Sequence, residues 1–509
     1  MLVLLATVFL VLLVYQVVNA WRRNQYWKNL GVPHPKPILF FGNFLDLVLR
    51  RKTQAEIMRD IYNEFPDEPV VGFYQFLSPR LIVRGQDLVE RVLVKDFQHF
   101  VDRSNFPQSG NPLLLNLFGL TGNRWRAMRA KFSPMFTTGK LRHMFPQVNE
   151  IADDLVGVLS KKTTDVNLKE EISNFTMDVI SSCAFGLETG ALKCGNSKFR
   201  EESKFAFQPS FKQFAKRMLL FSAPKLASAL NVKFMQARTE KYFGGVIRSA
   251  LDSRRRSNLT RNDFVQQMVN LLEKGYVEIE NHHPSDDYLD IEGNKRYENE
   301  KIELNDDVMV GQSFVFLLAG FETTATAISF TCLELALNED AQNKAREEIK
   351  RFPNFTYENI RDNMPFLEGC VKESLRMHPP VGNLVRLCVK AYTFPGTAVT
   401  IEPGTFVNVP SLAIHSNPDI YPEPEDFVPE RWHAGGPPCS YLPFGDGPRI
   451  CIGMRFATME IKCCLAKLLL NYRIKLHGDL ELPVKIDPYS FFGGPVKPIF
   501  FDLERIPAE

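Results

Sequence analysis

Residues 443–456, PFGDGPRICIGMRF, hold one thiol, Cys451, in a run that also contains three glycines, two prolines and two arginines. Gly445, Gly447 and Gly453 permit backbone conformations closed to other residues, and Pro448 stiffens the turn ahead of Arg449 and Cys451. Such a loop can aim backbone N–H groups and a guanidinium at a thiolate or at whatever the thiolate binds, lowering its proton affinity. A lone cysteine is more often a buried structural residue; here the surrounding pattern favours a ligand. The nine cysteines are odd in number and scattered, without a CxxC pair or a histidine at zinc spacing, so the others read as reduced, buried small hydrophobes.

Two further stretches carry chemistry. In AGFETT (319–324), Gly320 removes a side chain in mid-helix at a cost of about 1 kcal/mol relative to alanine, as expected where something approaches the backbone. Glu322 and Thr323 follow, and two readings stay open on the residues alone. The acid and the alcohol can relay protons beside a bulky ligand, or the threonine can bond back to its own helix while the glutamate pairs with a base. In ESLRMHPP (373–380), Glu373 and Arg376 share a helix face, and PERW (429–432) offers Arg431 as a third member. Only a buried, fully hydrogen-bonded triad would matter to the fold, since an exposed pair contributes about 0–1 kcal/mol.

These residues need elements to position them. Asn305 caps an apolar pattern that continues to Leu337, a predicted helix about 48 Å long that spans a domain. Glu322-Thr323-Thr324 interrupts its apolar run, which favours burial in protein over a membrane. Segments 141–160 and 263–274 have helical spacing, whereas EPVVGFYQFLSPRLIVRG (68–85) predicts two strands about a Ser-Pro turn. Between Glu273 and Asp307 the composition is that of a solvated connecting loop. Met1–Val18 is almost wholly apolar and is followed by Trp21, Arg22, Arg23 and Lys28, the pattern of a membrane anchor with the rest of the chain on the cytoplasmic side. No basic n-region precedes the run, which argues against a cleaved signal peptide. GVPHPKP (31–37) reads as a stiff spacer or an ordinary surface loop. With 509 residues, 45% hydrophobic, 24% charged and net charge +2, the chain can bury a large core and has no global attraction for nucleic acid.

The loop FGDGPRICIG resembles the cysteine-ligand loop of cytochromes P450, and WRAMR (125–129), AGFETT, ESLR and PERW follow that family's order and spacing. The likeness runs from about residue 30 to the end, and the anchor and hinge resemble those of eukaryotic microsomal members, with finer likeness to the insect branch associated with foreign compounds. It implies a mainly α fold with a small β-rich lobe, arranged as an anchor (1–20), a basic and proline-rich hinge (21–37) and a single haem domain (38–509), in place of the three domains that length alone suggests. The implied enzyme is a monooxygenase that inserts one atom of O2 into lipophilic small molecules such as plant toxins or insecticides. Its haem b would be ligated by Cys451 as axial thiolate, a donor that favours O–O cleavage.

By the same resemblance Trp125, Arg129, Arg386 and Arg449 hold the haem propionates, Phe444 shields the sulfur, Gly320 makes room for oxygen, and Glu322 with Thr323 delivers protons. Glu373, Arg376 and Arg431 form the structural triad, with Trp432 where Phe is commoner. The chain has no dinucleotide fingerprint, so NADPH-derived electrons would come from NADPH-cytochrome P450 reductase, with cytochrome b5 as an optional second donor. The basic cluster Arg124, Arg126, Lys131, Lys140 and Arg142 is either their docking patch or a solvated face. The implied location is the endoplasmic reticulum membrane, on its cytosolic face. Pocket walls are expected to include Phe106, Phe118, Phe207, Phe211, Phe214, Phe321, Phe491 and Phe492. A thiolate-haem peroxide isomerase or dehydratase, and a non-enzymatic haem sensor, are the rival functions; an intact Glu322-Thr323 pair argues against the first.

Overall fold

The structure, a computed structural model, describes residues 1–507 apart from 105–112, 114, 196, 209, 223, 234, 257–262, 279–301, 434 and 436–438. Phe106, the 279–301 part of the connecting loop and the side chain of Phe207 lie outside the described residues.

Helix dominates, as the periodicity predicts. The elements that matter to the site are α1 (Leu2–Arg23), α2 (Gln54–Glu64), β1 (Val70–Gln75), β2 (Ser78–Val83), α3 (Gly122–Phe132), α4 (Thr138–Leu159), α5 (Leu168–Ile180) and α6 (Phe211–Ser222). After them come α7 (Asp306–Leu337), α8 (Pro365–Met377), β3 (Leu384–Leu387), β4 (Phe406–Val409) and α9 (Met454–Asn471).

α1 is apolar and almost wholly exposed until Ala20. It runs on through Trp21, Arg22 and Arg23, three residues past the expected end of the anchor. Nothing in Trp-Arg-Arg breaks a helix, and cations in a last turn complement the helix dipole. The segment that follows, expected as a hinge, is fastened to the sheet. Trp27 is fully buried against Gly72, where a Cβ would lie 2.5 Å from the indole, its Nε1 donates to the Phe73 carbonyl at 3.0 Å, and Pro33 O accepts from Gly72 N at 2.8 Å.

The sheet has strand order β1-β2-β4-β3, with β1/β2 and β3/β4 antiparallel and β2/β4 parallel. Its hairpin turns at Phe76 (φ +56°) and Leu77, earlier than the expected Ser-Pro turn: Ser78 and Pro79 already pair with Gln75 and Tyr74. Proline is tolerated there because β2 begins pairing with β4 only at Arg80, so no ladder bond needs its missing N–H.

α7 begins as predicted, with Asn305 accepting from Val308 N at 3.0 Å, and ends at Leu337. It is apolar and long enough to cross a bilayer, yet more than half buried, because α5, α8 and α9 pack around it. The two main apolar cores among the described residues are a large one around α7 and a smaller one around the sheet.

Candidate active site

A cavity of about 1600 Å³ is lined from both cores: by the Cys451 loop, α3, α7, β3 and, further out, by α2, α6 and the segment 481–493. Its cysteine end is built by local backbone geometry. Gly445 (φ +72°) and Gly447 (φ +70°) are left-handed, and a Cβ on Gly447 would collide with the Leu93 carbonyl oxygen. Asp446 accepts from Gly447 N at 2.7 Å, and Cys451 N donates to Phe444 O at 2.9 Å. Gly453, expected to need the same freedom, has φ −88° and simply precedes the first turn of α9.

The Cys451 sulfur opens onto the cavity and is otherwise enclosed by protein. Burial pushes the thiol's pKa up. The N–H groups of Gly453 and Met454, at the start of α9, and the charges of Arg103 and Arg129 pull it down. Among the described residues no three His, Cys, Asp or Glu side chains converge as a metal centre, so this donor set suits a metal that brings its own equatorial ligands.

The arginines fit such a group. Arg386 on β3 is 1% exposed; its Nη1 donates to the Val385 carbonyl, while Nε and Nη2 have no partner. Burial lowers its pKa, and the charge of Arg103 lowers it further. Two enclosed cations facing one cavity call for an anionic ligand, and the paired carboxylates of haem would satisfy them. Arg129 lines the same wall from α3, beside Trp125. Arg103, which the sequence reading missed, is enclosed with its pKa lowered to about 10 by burial, and its Nη2 donates to Arg449 O. No motif marks it; only the fold brings it to Cys451.

Arg449 is held differently from expectation. Its nitrogens donate to the carbonyls of Val101, Leu117 and Leu120 at 2.9, 3.2 and 2.8 Å, and its guanidinium stacks on Trp125 at 3.9 Å. It therefore ties Val101 and the Leu117–Leu120 segment to the cysteine loop as well as lining the cavity. Gln312 of α7 ties the same segment down through Leu117 N at 2.9 Å and Leu115 O at 2.8 Å.

On α7 the helical period decides which residues reach the cavity. Phe316, Gly320, Thr323 and Ala327 line it, whereas Phe321 and Glu322 do not. Thr323 Oγ1 donates to Ala319 O at 2.6 Å. Glu322 points to α5, where its carboxylate pairs with Lys169 Nζ at 3.1 Å, and Lys169 also donates to Thr326 Oγ1 at 2.8 Å. The threonine thus faces the cavity, whereas the carboxylate of Glu322, expected to act beside it, is engaged on α5. Gly320 lines the cavity, and a Cβ there would lie 2.7 Å from Ile180 Cδ1, so a side chain of α5 also packs close to its backbone.

Of the expected aromatic lining, Phe118, Phe214, Phe491 and Phe492 line the cavity. Phe211 is 62% exposed and Phe321 is packed in the core; Phe314, Phe316 and Phe330 line the wall instead. The triad forms as the sequence suggested. Glu373, fully buried, receives Arg376 at 3.0 Å, Arg431 at 2.8 Å, Trp432 Nε1 at 3.0 Å and Val428 N at 3.2 Å. The basic cluster falls on α3 and the first turns of α4, with Arg142 paired to Glu358 at 2.6 Å.

The family model for Cytochrome P450 matches residues 32–500. Among curated proteins, Cytochrome P450 6k1 of Blattella germanica is 36% identical over 501 residues, 96% of this chain and 94% of its own. Probable cytochrome P450 6a23 of Drosophila melanogaster is 34% identical over 520 residues, 99% of each chain. Cytochrome P450 6B2 of Helicoverpa armigera is 35% identical over 488 residues, 93% of each.

Proposed function

The chain belongs to the cytochrome P450 family, and from that premise we propose how its own residues serve monooxygenation. The protein is an oxidoreductase that works with haem and a cysteine thiolate. When bound, the haem supplies the oxygen-activating chemistry, fed by electrons from a redox partner. Cys451 would supply the thiolate to the haem iron: its N–H is tied to Phe444 O, and Phe444 lines the cavity with it. Arg386, Arg103, Arg129 and Trp125 would hold the propionate edge, with Arg449 bracing Trp125 and the carbonyls behind it, a reading supported above all by the unpartnered nitrogens of buried Arg386.

Thr323 is the proton-handling hydroxyl. Its Oγ1 donates to Ala319 O, which leaves its lone pairs able to accept from a water in the cavity. Glu322 instead anchors α7 to α5 through Lys169.

Substrates are lipophilic, and the aromatic wall favours foreign compounds such as plant toxins or insecticides. The finer assignments follow the family. The electron donor is NADPH-cytochrome P450 reductase, with cytochrome b5 as optional second donor. Residues 1–20 anchor the chain in the endoplasmic reticulum membrane, 21–37 form the hinge, and 38–509 make one haem domain on the cytosolic side.

The test is a reconstitution with reductase and NADPH. Cys451→Ala is expected to lose the reduced-CO signature of a thiolate ligand. Thr323→Ala is expected to keep that signature while product per NADPH falls on the order of tenfold. Unchanged coupling in Thr323→Ala would remove the proton-handling role.

A further inference from the structure

Where α6 and the segment 481–493 line the cavity they place a further cation. Arg217 lines the cavity beside Phe214, Phe491 and Phe492. One nitrogen, Nη2, donates to Tyr489 O at 2.9 Å, and the guanidinium lies 5.5 Å from the Phe491 ring. Stacking of Phe214 on Tyr489, at 4.3 Å and 18°, braces this wall. Burial lowers the pKa of Arg217.

No carboxylate among the described residues pairs with it. Of the acids that line the cavity, Asp487, two residues from Tyr489, pairs with Arg50 at 2.8 Å, Asp60 with Lys52 at 2.6 Å, Glu481 with Lys485 at 2.7 Å and Glu334 with His378 at 2.6 Å, Glu56 caps α2 through Thr53 N at 2.7 Å, and Glu425 forms no ion pair with Arg217. Lys216, the neighbour of Arg217, also lines the cavity and adds positive charge. An arginine has five N–H donors and cannot shed its proton in a protein, so a half-enclosed guanidinium held by one carbonyl retains donors for a ligand. In apolar surroundings a charge left without a counter-ion is costly, and a ligand anion would relieve that cost.

We propose that Arg217 is a specificity-determining residue, which selects lipophiles carrying an anionic group, a carboxylate above all, and orients them with that group on α6 and the apolar body toward the haem end. This deepens the reading of the site as a lipophile pocket and rests on it. Binding is a matter of charge-assisted hydrogen bonds and leaves the oxidation chemistry unchanged.

Matched probes test it: phenylhexanoate and its methyl ester, with dodecanoate and methyl dodecanoate as a second pair, titrated at neutral pH into the haem-loaded protein. Dissociation constants are read from the spin-state change and, independently, by calorimetry. The wild type is expected to bind each acid more tightly than its ester. Arg217→Ala should weaken acid binding about ten- to a hundredfold while changing ester binding less than about twofold, and Arg217→Lys should recover part of the loss. Equal binding of acid and ester by the wild type, or equal weakening of both in Arg217→Ala, would overturn the proposal and leave the lipophile pocket standing. Failure of all four probes to bind would overturn the pocket reading and this proposal together.

Discussion

His415 shows how one side chain makes the stability of the fold depend on pH. It is fully buried, its Nε2 accepts from Leu442 N at 2.9 Å, and its Nδ1 faces Arg376 O at 3.1 Å, so the ring is neutral with the proton on Nδ1. Burial, with the nearby Arg376 charge, pushes its pKa down to about 3 from 6.5. Because the folded value is depressed, the unfolded chain takes up the proton first. The stability held by the neutral ring is therefore present above about pH 6.5 and lost as pH falls toward about 3. Between pH 7.5 and 5.5 the loss is about 1.4 kcal/mol. Urea unfolding at those two pH values should show this drop in the wild type and its absence in His415→Gln, which is less stable at both; equal drops would refute the assignment. The same neighbourhood accounts for Trp432, whose indole N–H, unavailable from the commoner phenylalanine, donates to Glu373.

The packing of α5 on α7 is where element and chemistry meet. Three contacts fasten the pair around the cavity-facing turn: Ile180 over Gly320, Thr176 Oγ1 donating to Phe321 O at 3.0 Å, and Lys169 paired with Glu322. A methyl added at 320 has no room unless Ile180 retreats, so Gly320→Ala is expected to cost about 1–3 kcal/mol. Ile180→Ala in the same chain should return much of it, a coupling that thermal or urea melts of the four proteins in a double-mutant cycle would measure. Additive losses would instead mean that Gly320 is needed for the ligand in the cavity. The helix period explains why the adjacent acid and alcohol separate: one residue of advance turns a side chain by about 100°, enough to send Glu322 to α5 and Thr323 to the cavity.

In the whole molecule, the cavity lies where the helical core and the sheet core meet, so neither core alone makes it: Trp125 and Phe330 come from the first, Phe214 and Tyr489 from the second. α1 adds nothing to its wall. Deleting residues 2–18, which stops short of buried Ala20, is expected to release the protein from the membrane pellet while preserving the reduced-CO signature. Loss of that signature would mean that α1 supports the haem end. The sequence by itself determined the cysteine loop, the capped long helix, the triad and the apolar amino-terminal segment, because each is written in local spacing: left-handed glycines, an Asn cap, residues one helical turn apart, an unbroken apolar run. Only the tertiary structure decided that Arg103 stands near Cys451, that Glu322 is paired with Lys169, that Ile180 packs on Gly320, and that Arg217 lines the cavity with no carboxylate partner among the described residues. Those facts depend on which residues far apart in the chain become neighbours and on which charges burial leaves uncompensated, and no local pattern encodes either.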